Sequence, residues 1–254
     1  MTRGLAIGWD VGGWLGKKQA VAVIEVGDDE TWRYVGRPAA FTLRGRERLN
    51  VLELVRTAWP EAPADALDRG DVVLAIDAPL SFPAAFVRLL ERAPTSPPSS
   101  DREIDNELAY RACDRFIHAE HERKKPLSAS FDKLGNNATV AMVLTRRWRE
   151  SEGFRVLPWD APRDPRREII EAYPALMKSK GEVVDRVRAL LDVRLPDAGR
   201  GLGEDELDAA ICALVALAHL GIVDPQLPRL VGPAAGQGLD GWIYGPSRAW
   251  VTGG

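Results

Sequence analysis

The residues of this chain best suited to chemistry are acids at the ends of apolar runs. Asp10 closes the run Leu5–Trp9, Asp77 closes the β-branched run Val72–Ile76, and Glu171 lies within Glu168–Tyr173. Asp205 and Asp208 open a long apolar stretch that reaches Leu220. Runs of the first kind read as strands, and ligands in open α/β sheets bind at strand ends, where carboxylates from separate strands converge. Asp205 and Asp208 are three residues apart and so share a helix face. Carboxylates brought together repel, and a hard divalent cation with oxygen ligands removes the conflict. Two Mg²⁺ or Mn²⁺ ions ~3.5–4 Å apart serve phosphodiester cleavage, activating the attacking water and stabilising the leaving oxygen. This assigns catalysis to Asp10, Asp77, Glu171 and Asp208, with Asp205 joining them as a metal ligand. Each position also has a purely structural reading. Asp10 before Gly-Gly and Asp77 before Ala-Pro suit turns, Glu171 suits the exposed face of an edge strand, Asp205 suits a helix N-cap, and Asp208 suits a first-turn anion favoured by the helix dipole.

A phosphate-bearing substrate calls for cations and hydroxyls. Arg111 and Asp114 lie three apart on one predicted helix, where the Arg fork can grip a phosphate or pair with the Asp. Lys125, Ser128 and Ser130 place one ammonium and two hydroxyls in a short loop, also compatible with a solvated turn. Segment 123–167 holds eleven Lys or Arg against five Asp or Glu, although the whole chain has a net charge of −3. With Trp148 between Arg147 and Arg149, this segment reads either as a stacking and phosphate-contacting surface or as a charged helix face with one core Trp. His118, His121 and His219 have no metal-site spacing. Walker A, G-x-G-x-x-G and G-x-S-x-G patterns are absent, which leaves P-loop and triad chemistry unsupported.

The elements that position these residues follow from pattern. Leu5–Trp9, Gln19–Val26 and Trp32–Phe41 predict three strands in an antiparallel meander, with Pro38 at an edge or bulge. Arg46–Trp59 has helical spacing, Val72–Ile76 is a strand, and Ala84–Arg92 is a short helix. Ala93–Ser100 has loop composition, whereas Glu103–Glu122 and Ala138–Glu150 predict helices. Strands at Phe154–Leu157 and Glu168–Tyr173 precede helices at Val183–Leu191 and Asp205–Leu220, and Gly241–Val251 predicts a last strand. This order predicts one α/β domain over residues 1–254. It has a mixed sheet, helices on both faces and an elaborated helical insertion at about 94–160, able to cap the site or block a long duplex. At 254 residues, 45% hydrophobic and 28% charged, the chain has ample material for a core. Its longest apolar run, Ala209–Ala218, is half of what a membrane helix needs, and no signal-peptide core opens it. A cytoplasmic protein without membrane contact is the expectation. Two distant cysteines, Cys113 and Cys212, imply no disulfide framework.

Gly8-Trp-Asp-Val-Gly-Gly13, Ala75-Ile-Asp-Ala-Pro79, Tyr110-Arg-Ala-Cys-Asp-Arg115, Glu171-Ala-Tyr-Pro174 and Asp205-Glu-Leu-Asp-Ala209 occur in this order. Together they resemble the family called domain of unknown function 429, predicted RNase H-like nucleases, over Gly4 to Leu220. The resemblance implies an RNase H-like fold and a carboxylate-bound metal site at Asp10, Asp77, Glu171 and Asp205 or Asp208, acting on nucleic acid or a nucleotide. Two alternatives stay open. The strand–Asp–Gly turn at Asp10–Gly13 also suits an ATP-dependent phosphotransferase of the actin and sugar-kinase type, with Gly232–Gly238 as a weak second loop. The scaffold could also serve as a non-catalytic binding module.

Overall fold

The computed structural model describes residues 2–14, 17–46, 48–98, 100–121, 124–178, 182–195, 201–234 and 238–252. The sheet begins with β1 (Thr2–Asp10), β2 (Lys18–Gly27), β3 (Trp32–Tyr34) and β4 (Ala39–Thr42). Helix α1 (Val51–Ala58) leads to β5 (Asp71–Asp77), then α2 (Ala84–Leu90), α3 (Ala112–Glu120) and α4 (Gly135–Glu152). After β6 (Arg155–Val156) and β7 (Arg167–Glu171) come α5 (Glu182–Arg194) and α6 (Glu204–His219). A small pair, β8 (Leu230–Val231) and β9 (Gly245–Pro246), precedes α7 (Arg248–Thr252). The main sheet runs β3-β2-β1-β5-β7-β6, with β4 also on β2. Strands β1 to β4 pair antiparallel, whereas β1, β5, β7 and β6 run parallel, so the fold is α/β with a mixed sheet.

Alternation along the central strands sorts two cores. Leu5, Ile7, Trp9, Leu74 and Ile76 face α1 and α4, while Ala6, Ala20, Ala22, Val73 and Ala75 face α6. The second face is made of small residues, and α6 lies close on β1, β2 and β5. Helix α6 is buried from Ala209 to Leu217 because α5 and the C-terminal segments cover its far side, which explains its apolar character all round. Gly8 sets the closest approach: a Cβ there would stand 2.0 Å from the Ala209 carbonyl oxygen and 2.2 Å from the Ala213 nitrogen. The obstacle is helix backbone, which cannot swing aside. Gly8→Ala is therefore expected to destabilise the chain by about 1–3 kcal/mol through overpacking. Urea unfolding checks this, and wild-type stability in the variant would contradict it.

Several predicted elements come out differently. Trp32–Phe41 is two strands, because Gly36 adopts a left-handed φ of 72° against the Ala58 carbonyl and Pro38 offers no N–H. Helix α1 starts at Val51, not Arg46, since Asn50 and Glu53 form a reciprocal cap. Glu103–Glu122 is not one helix: a single 3-10 turn at Glu103–Asp105 is followed by a hydrogen-bonded turn closed by Asn106, and α3 begins only after Arg111; Glu122 lies outside the described residues. Phe154–Leu157 contracts to β6, and Gly241–Val251 to β9, where Pro246 ends pairing and α7 follows. The middle of the Gly232–Gly238 loop lies outside the described residues. Among the described residues no helix is long and apolar enough to cross a membrane.

Candidate metal centre

Asp10 and Asp77 are register partners at the C-terminal ends of the adjacent parallel strands β1 and β5. Their shared parity with Gly8 and Ala75 turns both carboxylates towards α6. There Asp208, one residue before the Ala209 that Gly8 admits, completes a trio whose carboxylate oxygens lie within 4.8 Å of one another. Among the described residues this is the only such group of three Asp, Glu, His or Cys side chains. Asp205 opens the same helix, half-buried and outside the trio, and its charge acts on Asp10 from a distance.

Glu171 stays outside the trio for a reason of register: it pairs with Ile76, not Asp77, yet it lines the same cavity as Asp10 and Asp77. It is buried, not on an exposed edge, and both its oxygens are taken by Arg111: Nη1–Oε2 is 2.7 Å and Nη2–Oε1 is 2.6 Å. Its Oε2 also accepts the Leu80 N–H at 2.9 Å, which fixes the turn that follows Asp77. Arg111 completes its bonds with Asp114, through Nε at 3.1 Å and Nη2 at 2.9 Å, and with Ser81 Oγ at 3.4 Å. All five guanidinium donors are engaged, leaving no free fork for a phosphate. Asp114 in turn accepts the Arg111 backbone N–H at 2.8 Å at the start of α3.

The remaining predicted contacts are structural. Lys125 pairs with Glu103 at 2.7 Å and lies over the Tyr110 ring. Ser128 Oγ donates to the Ala109 carbonyl at 2.6 Å, and Ser130 Oγ to that of Leu108 at 2.8 Å. Trp148 is fully buried with its indole N–H on the Leu49 carbonyl, so it is a core residue and no stacking surface. Cys113 and Cys212 are free and buried, and His219 pairs with Glu168 at 2.9 Å. One residue escapes pattern reading altogether. Lys178, after the turn that follows β7, places Nζ 2.5 and 2.7 Å from the two Asp208 oxygens. No periodicity or motif marks it.

The electrostatics follow from burial. Asp10 is pushed from its ordinary 3.8 up to about 7, first by burial and then by the charges of Asp208 and Asp205. Asp77 is raised well above the usual carboxylate range, again by burial, then by Asp10 and Asp208. Burial also raises Asp208, although Lys178 pulls it back. Among the described residues no protein group hydrogen-bonds to the carboxylates of Asp10 or Asp77. No protein-family model, curated protein or solved structure matches the chain.

These residues fit a hard divalent cation. The donor set is oxygen only, and one oxygen from each of the three residues lies within 4.8 Å of the others, near enough to meet on one hard cation. Protons are the competitor. A folded Asp10 that titrates near 7 keeps a proton that the unfolded chain releases near 3.8. Stability without metal therefore falls as pH rises from about 4 towards about 7. A cation must displace that proton, so Mn²⁺ affinity is expected to climb with pH between about 6 and 8, about tenfold per unit for each proton displaced. Melting curves with and without Mn²⁺ across this range check the sign. A gap that widens with pH is expected, and a constant gap would contradict it.

Proposed function

We propose that this chain is an RNase H-like, Mg²⁺- or Mn²⁺-dependent phosphodiesterase that acts on nucleic acid or a nucleotide. The observation that carries the reading is the convergence of Asp10, Asp77 and Asp208 with no protein donor on the first two. Strand order supports it. The first Asp ends the strand where antiparallel pairing gives way to parallel pairing, a second ends the adjoining strand, and a late helix supplies the third. Four of the five resemblance blocks, those that hold Asp10, Asp77, Glu171 and Asp208, begin on or adjoin β1, β5, β7 and α6.

Asp10, Asp77 and Asp208 would hold the cation, with Asp205 near enough to add negative charge. A cation so held supplies Lewis acidity and offsets charge on the phosphate. Glu171 and Arg111, spent on each other in the same cavity, would act as positioning residues, since the bond from Leu80 to Glu171 fixes the chain leaving Asp77. Lys178 balances Asp208 and leaves Asp10 and Asp77 without a direct ion-pair partner. In hydrolysis the oxygen of water bonds to phosphorus, the P–O ester bond breaks, and the departing oxygen takes up a proton. The test is Mn²⁺-dependent hydrolysis of bis(p-nitrophenyl) phosphate and of a labelled oligonucleotide. Asp77→Asn is expected to lower both at least about 10²-fold. Undiminished hydrolysis by a clean preparation of the variant would overturn the reading.

A further inference from the structure

The carboxylates do not stand open at the edge of the sheet. Pro126, Leu127, Leu134 and Asn137 line the same cavity as Asp10 and Asp77, so the segment 124–137 crosses the site as a strap. Both ends of the strap are tied down. On one side Ser128 and Ser130 bond the carbonyls of Ala109 and Leu108, and Lys125 pairs with Glu103. On the other, Asn137 Nδ2 donates to the Val11 carbonyl at 2.5 Å and Asn136 Oδ1 accepts the Trp14 N–H at 3.1 Å, both just beyond Asp10.

The space beside the strap is about 150 Å³ and opens partly to solvent. A void of that order holds a guest of about benzene size, whereas sites for larger organic ligands run to about 300–1,000 Å³. A phosphate group with a cation fits beneath the strap, and a sugar and base must remain outside. An interior phosphate of a duplex is held on a stiff backbone between its neighbours and cannot dip into so small a space without costly bending. An unpaired strand can splay its bases aside. Phe131, within the strap, is 59% exposed and offers an aromatic face to such a base. Exposed aromatic side chains serve as stacking platforms for single strands.

We propose that the strap restricts this site to phosphodiesters on an unpaired strand, with Phe131 as the platform for a flanking base. The inference rests on the phosphodiesterase reading. The experiment compares the full chain with Mn²⁺ on a labelled single-stranded oligonucleotide, the same oligonucleotide annealed to its complement, and bis(p-nitrophenyl) phosphate. Cleavage of the single strand at least about tenfold faster than the duplex interior is expected. Phe131→Ser is expected to raise KM for the single strand severalfold with little change in kcat. The double variant Ser128→Ala, Ser130→Ala is expected to narrow the preference by freeing one end of the strap. Duplex cleaved as fast as single strand would overturn the inference while leaving phosphodiesterase activity intact. Failure to hydrolyse any of the three substrates would remove both.

Discussion

Asp77→Asn is expected to lose Mn²⁺ binding and, without metal, to melt at a higher temperature than the wild type. Two opposite effects come from one substitution because the carboxylate serves a ligand and burdens the fold. Burial and the charges of Asp10 and Asp208 raise its pKa well above the usual range, so holding it in place costs stability at neutral pH. Asparagine keeps the shape, carries no charge and can donate to the neighbouring carboxylates. The gain is read as a higher melting temperature than the wild type's in the absence of metal. Loss of one of three carboxylate ligands should weaken Mn²⁺ binding at least about 10²-fold. Differential scanning calorimetry with and without Mn²⁺ reads both effects. A variant less stable than wild type in the absence of metal would mean that Asp77 is a structural acid.

Arg111→Met carries the largest expected loss of stability. The guanidinium and its partners Glu171 and Asp114 are almost wholly shielded from water, with side-chain exposures of 2%, 4% and 1%. Removing the cation leaves two buried carboxylates facing each other without compensation, which costs about 3–5 kcal/mol. The damage should be largely repaired by Arg111→Met with Glu171→Gln, since the pair is removed together and Asp114 still caps α3. Urea unfolding of the two single variants and the double variant closes the cycle, and additive losses would contradict the coupling. The cycle also separates the role of Glu171 from that of Asp77, because a glutamate that acts through Arg111 affects folding before it affects metal affinity.

What the sequence made legible and what it concealed differ by range. Asp10 and Asp77 stood out because each follows an apolar run, and a strand end is a local property. The register that aligns Asp10 with Asp77, and Glu171 with Ile76, is a long-range property that no run of residues reports. Glu171 stood out for the same reason as Asp10 and Asp77, and the structure places it in their cavity but with both oxygens held by Arg111. Asp205 and Asp208 share a helix face, and the approach of α6 to Gly8 is what brings Asp208 to the trio. The i,i+3 spacing of Arg111 and Asp114 showed a pair, but its burial depends on Glu171, sixty residues away. Trp148 between two arginines looked like a surface feature, yet the period of α4 turns it inward and the arginines outward. Gly36 and Pro38 were visible as interruptions, but only the fold shows that they divide one predicted strand into two.

The proposed function rests on three carboxylates, from two strand ends and one helix, holding a divalent cation. The most direct measurement is a calorimetric Mn²⁺ titration at pH 8 of the wild type and of folded Asp77→Asn, without nucleotide. Saturable binding by the wild type, weakened at least about 10²-fold in the variant, is the result this account predicts. Equal binding by both proteins, or no binding by the folded wild type, would contradict it.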